Sequence, residues 1–153
     1  MDTDHPLGFG GGNPIFRVAD VDASLAYYVE KLGFTLEWAA GDVRCVRAGA
    51  FSLFLVEGDQ GHAGAWAWMG VRDARALHAH YAASGALVRH APTPYPWALE
   101  MQVEDLDGNV IRMGSAPEPG APVGPWLDMR GQSWHLAPEG QWRRVSGSSP
   151  SVA

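Results

Sequence analysis

The chain has 153 residues, of which 46% are hydrophobic and 18% charged, with a formal net charge of −6. That length supports one domain with a substantial core, and no stretch reaches the roughly 18 consecutive apolar residues of a membrane span. The acidic balance works against nucleic acid and, for a charged small-molecule partner, favours a cation.

Residues 1–13 (MDTDHPLGFGGGN) are polar and Gly-rich, and read as an N-terminal arm without an element of its own. They show neither the basic nor the apolar stretch of a signal peptide, so none is expected. Cys45 is the single cysteine, which rules out a disulfide within the chain and fits a reducing, cytoplasmic setting.

Residues 14–18 (PIFRV) read as a strand opened by Pro14, whose missing N–H suits a strand start or an edge. Asp20 or Asp22 caps a helix to about Leu32, with Val21, Leu25, Tyr28, Val29 and Leu32 as its apolar stripe and Gly33 as its stop. Strands follow at 34–39, 43–47 and 51–56, separated by turns at Gly41-Asp42 and 48–50. Residues 57–64 (EGDQGHAG) form a polar linker.

The pattern then repeats. A strand over 65–71 leads to a helix capped by Asp73 and stopped by Gly85, with Leu77 and Tyr81 inside. Residues 86–90 read as a strand and 91–96 (APTPYP) as a stiff loop. Strands over 99–104 and 110–114 form a hairpin around Asp105-Leu106-Asp107-Gly108-Asn109. Val71 and Asp73 repeat Val18 and Asp20 at an interval of 53 residues. The fold class is therefore α+β, with two βαβββ modules at about 14–57 and 65–116 forming curved mixed sheets. One helix cannot cover both faces of a four-stranded sheet, so the uncovered faces are expected to form a groove. Residues 117–125 (PEPGAPVGP) are a linker to a C-terminal extension, 117–153. It carries Trp126, Trp134 and Trp142 on an added hairpin and ends in SGSSPSVA, which reads as disordered.

Residues 65–69 (AWAWM) focus the functional question. On a strand Trp66 and Trp68 share one face, and the small residues share the other. The indoles are either core or the wall of a ligand groove. Trp97 is either a core plug or a stacking surface. A buried Glu37 would be costly, which favours Trp38 in the groove. Glu100, Gln102 and Glu104 share a face that either attracts a cation or is simply solvated. Arg112 needs Glu100 or another acid as a partner, unless the ligand brings an anion.

The two modules and the closing E-D-L-D-G-N-V-I-R-M resemble the vicinal oxygen chelate superfamily of glyoxalases, extradiol dioxygenases and antibiotic resistance proteins. Pro14, L-G-F (32–34), S-L-F-L (52–55), A-W-A-W (65–68), P-W (96–97) and D-G-N (107–109) narrow the resemblance, over about 12–116, to bleomycin resistance proteins. That resemblance implies non-catalytic binding and sequestration of a cationic, flat-ring antibiotic of the bleomycin type. The groove would lie at a homodimer interface, with arm exchange about Pro14. It places Trp38, Val43, Phe54, Trp66, Trp68, Trp97, Glu100 and Arg112 at the ligand, and Val43 departs from the aromatic that is usual there. The metal positions of the superfamily's enzymes fall on Asn13, Phe54, Trp66 and Arg112, which are not a ligand set. No metal or other cofactor is expected. The alternatives are an enzyme of this fold, lyase- or dioxygenase-like with a displaced metal, and a binder of another aromatic metabolite.

Overall fold

A computed structural model describes residues 6–145. The expected disorder of 146–153 and the start of the arm lie outside them. The elements are β1 (Ile15–Arg17), α1 (Val21–Glu30), β2 (Thr35–Ala40), β3 (Val43–Ala48), β4 (Phe51–Val56), β5 (Trp66–Gly70), α2 (Ala74–Ser84), β6 (Leu87–Pro94), β7 (Leu99–Glu104), β8 (Val110–Ser115), β9 (Trp126–Leu127), β10 (Ser133–Leu136) and β11 (Trp142–Arg144). The architecture is α+β. Two mixed four-stranded sheets, ordered β1-β4-β3-β2 and β5-β8-β7-β6, are joined by a C-terminal three-stranded sheet, β11-β10-β9. In each module the first strand pairs parallel to the last, β1 with β4 and β5 with β8.

Short polar side chains start both helices. The Asp20 carboxylate accepts the Asp22 and Ala23 amides, and Asp73 accepts the Ala76 amide. Gly85 ends α2 at φ +81°, a conformation that favours glycine. The buried stripe of α1 departs from expectation: Val21, Ser24, Tyr27 and Tyr28 are buried, while Val29 is exposed. Tyr27 is drawn inward because its hydroxyl donates to the Glu104 carbonyl and accepts the Leu87 amide.

One apolar core joins the modules. Phe16, Val46, Leu53 and Leu55 of the first sheet meet Met101, Val103, Ile111 and Met113 of the second, with Tyr28 and Tyr81 from the helices. The Asp105–Asn109 turn is a latch between halves. Asp105 accepts from the Tyr28 hydroxyl, and Asp107 accepts the Ala19 amide. Asn109 accepts the Gly64 and Ala65 amides and donates to the Arg17 carbonyl. This bonding alone accounts for D-G-N, with no ligand needed.

Three further expectations are corrected. Residues 91–94 are strand, not loop: β6 runs on through Pro92 to Pro94 with two register shifts. It pairs with β7 alone, so its prolines sit on an edge where no N–H is required. Trp126 to Arg144 folds as three strands rather than a hairpin. A register shift between Leu36 and Trp38 in β2 puts Glu37 on the same face as Trp38, where it bonds Cys45 and Arg47.

Candidate functional site

The outer faces of the two sheets, turned away from the core, carry the eight residues singled out in the sequence, and the chain does not bring all eight together. Trp38, Val43 and Phe54 belong to the first sheet, where Trp38 and Phe54 meet edge to face at 5.2 Å. Trp66, Trp68, Glu100 and Arg112 belong to the second, with Trp97 just before β7. No described hydrogen bond or ring contact links the first three to the other five.

On the second sheet everything converges on Glu100. Its neighbours Leu99 and Met101 turn to the core, so Glu100 faces outward, yet it is 0% exposed. It is buried because its carboxylate is fully used. Arg112 donates to both oxygens, at 2.7 and 3.2 Å. The indole N–H groups of Trp68 and Trp97 donate to Oε2, at 3.1 and 3.0 Å. Such a carboxylate is neither a solvated surface group nor a free receptor for a cation. It also settles Arg112, which is paired. The Trp68 indole lies across Gly114: a Cβ there would stand 3.1 Å from Trp68 Cζ2.

The C-terminal sheet roofs this face. The Tyr95 hydroxyl donates to the Pro125 carbonyl at 2.7 Å, buried Gln102 donates to Leu127, and Arg89 donates to Asp128. Gly124 donates its amide to Pro94 and passes so close that a Cβ would stand 2.2 Å from Thr93 Cγ2. Trp126 then lies over the Arg112 guanidinium at 4.7 Å, and Arg89 lies over Trp66 at 5.3 Å. Tyr95 stacks on Trp97 at 4.9 Å and 8°. Trp126 and Trp142 stand 6.2 and 6.1 Å from Trp97, inclined by 69° and 55°.

Together these groups line an open cleft of about 490 Å³, walled by Trp97, Arg112, Trp126, Asp128, Trp134 and Trp142. Burial works against ionisation of Asp128, but the Trp134 indole N–H and the Gln132 and Arg130 amides outweigh it and hold its carboxyl below the usual range. Four of these six lining residues come from the extension, and none of the four is among the ligand residues expected from the sequence. The signal was there: Trp126, Trp134 and Trp142 recur every eight residues.

The metal positions implied by the fold do not fit a metal. Asn13 donates its amide to Ser52, Arg112 is bound to Glu100, and Phe54 and Trp66 offer no donor. Among the described residues no group of three or more His, Cys, Asp or Glu side chains could hold an ion. Burial and the neighbouring Glu37 carboxylate push the Cys45 thiol up to about 11, which favours the protonated form at neutral pH.

A model of the glyoxalase/bleomycin resistance protein/dioxygenase superfamily matches residues 10–113. The chain belongs to this superfamily. The roofing sheet lies beyond the matched residues. A bleomycin-binding protein from bleomycin-producing Streptomyces verticillus, solved with copper(II)-bleomycin, is 26% identical, with a TM-score of 0.58 over 72% of this chain and 98% of that one. TnmS3, an antibiotic-binding protein from Streptomyces sp. CB03234, is 24% identical, with a TM-score of 0.57 over 70% and 97%. TioX from Micromonospora sp. ML1 is 18% identical, with a TM-score of 0.57 over 69% and 98%. The last two show the fold alone. No curated protein sequence matches the chain. No described helix is long and apolar enough to cross a membrane.

Proposed function

We propose that this protein captures a flat-ring organic cation, of the kind represented by bleomycin-type antibiotics, and does no chemistry on it. The observation that carries the reading is the state of Glu100. The carboxylate between Trp68 and Trp97 is consumed by one guanidinium and those two indole N–H groups, so Glu100 is left as neither a free base nor a metal ligand. What remains for recognition is aromatic surface, which stacks on rings and attracts positive charge. The 26% identical relative in complex with copper(II)-bleomycin supports an antibiotic as the ligand.

The first sheet has a different part in this proposal. Its outer face leaves Ile15 and Trp38 more than 40% exposed, which is surface for a second copy of the chain. Pro14 at the head of β1 is the point about which the arm would cross to that copy. Val43 and Phe54 would then reach a ligand only through the partner.

Quenching of tryptophan emission tests the proposal, with metal-free bleomycin and proflavine as cations and anthracene-2-carboxylate as a flat anion. Saturable quenching by at least one cation, weaker binding of the anion, and recovery of the ligand unchanged are expected. No binding of any of the three, or a converted ligand, refutes it.

A further inference from the structure

We propose that residues 124–145 close the outer face of the second sheet into a pocket complete within one chain. It takes a flat organic cation, with the positive charge beside Asp128 and the ring against Trp97, Trp126 and Trp142. This rests on the capture reading and adds where the ligand sits: under the chain's own extension, not between two copies.

The roof is built into the fold. It satisfies polar groups that the sheet could not leave bare, since Gln102 is buried and its amide is met by the Leu127 carbonyl. It approaches β6 where a side chain at Gly124 would collide with Thr93. The cleft of about 490 Å³ falls within the roughly 300–1,000 Å³ of sites that bury a small molecule. No first-sheet residue lines it.

Its walls choose the ligand. Trp126 and Trp142 are inclined to Trp97 by 69° and 55°, so a flat ring meets both faces and edges. Of the charges on the lining, Arg112 is cancelled by Glu100. Asp128 makes no ion pair among the described residues, and its oxygens accept from one indole and two amides. The lining itself is left with one negative charge, with the Arg130 cation in reach of it, beside electron-rich rings.

The test is a proflavine titration of the full chain and three variants, at low and high protein concentration, with circular dichroism as the fold control. Gly124→Val should unseat the roof, and Trp142→Ala should remove one wall while leaving the docking bonds. Each is expected to weaken binding about tenfold or more, the range of an aromatic hot spot. Asp128→Asn should narrow the preference for proflavine over anthracene-2-carboxylate. The wild type should bind one proflavine per chain with a Kd independent of protein concentration. Binding unchanged in both Gly124→Val and Trp142→Ala would overturn the pocket and leave the capture reading standing. Tighter binding by Gly124→Val would make the extension a plug and also overturn it. No binding of proflavine by a wild type that binds bleomycin would overturn the pocket, and binding of neither cation would remove the capture reading itself.

Discussion

The two sheets share a topology, yet their outer faces are opposites. The first shows bare apolar side chains, with Trp38 at 43% and Ile15 at 41% exposed. The second carries Glu100 and Gln102, both 0% exposed, under a roof. Their ion pairs differ in the same way. Glu37 and Arg47 on the first sheet keep 36% and 41% of their side chains in solvent, whereas Glu100 keeps none. The repeat therefore copies the backbone and not its environment. On the second sheet's outer face Glu100 is satisfied within its own module by Arg112, Trp68 and Trp97, and Gln102 is satisfied by the roof through the Leu127 carbonyl.

The contrast can be attacked from its strongest side first. Glu100→Ala strands the Arg112 guanidinium and two indole N–H groups beneath the roof. It should cost about 3–5 kcal/mol, the range for breaking a buried pair, and abolish ligand binding, while Glu37→Ala shifts the urea midpoint far less. Gly124→Ala forces a methyl against Thr93. It should cost about 1–3 kcal/mol and move tryptophan emission to the red as Trp126 and Trp142 gain solvent, read from urea melts and spectra. Trp38→Asp on the bare face should stay within about 1 kcal/mol of wild-type stability but lower the sedimentation coefficient if that face holds a second copy. An unchanged sedimentation coefficient from a dimeric wild type would remove the first sheet from the interface.

The smallest effect is one of pH. The His90 Nδ1–H donates to the Ala91 carbonyl at 2.8 Å, and its buried Nε2 has no hydrogen-bond partner. Burial keeps its pKa below the ordinary value of about 6.5. The unfolded chain then takes up a proton before the folded one does. This contribution to stability is present above about pH 6.5 and is lost as pH falls from there through the lower folded value. His90→Phe should flatten that slope in urea midpoints taken across the range.

Much of the fold was legible because its signals are local. Asp20, Asp73 and Gly85 mark helix ends by their own backbone bonding, and the 53-residue repeat needs no tertiary knowledge. The extension of β6 was hidden, since Pro92 and Pro94 announce a loop unless the strand is known to lie at an edge. The bulge at Glu37 was equally invisible, because it serves Cys45 and Arg47 on the neighbouring strand. The roof was the largest omission. Its strands are two to four residues long, and they are held by Arg89, Tyr95 and Gln102, distant in sequence. The tryptophans at 126, 134 and 142 gave its presence but not the face it covers.

Capture without conversion is tested most directly by incubating the protein with proflavine, isolating the complex by gel filtration, denaturing it and identifying what is released by mass spectrometry. The account predicts one unaltered proflavine per chain. A chemically changed product, or protein that emerges without ligand, would contradict it.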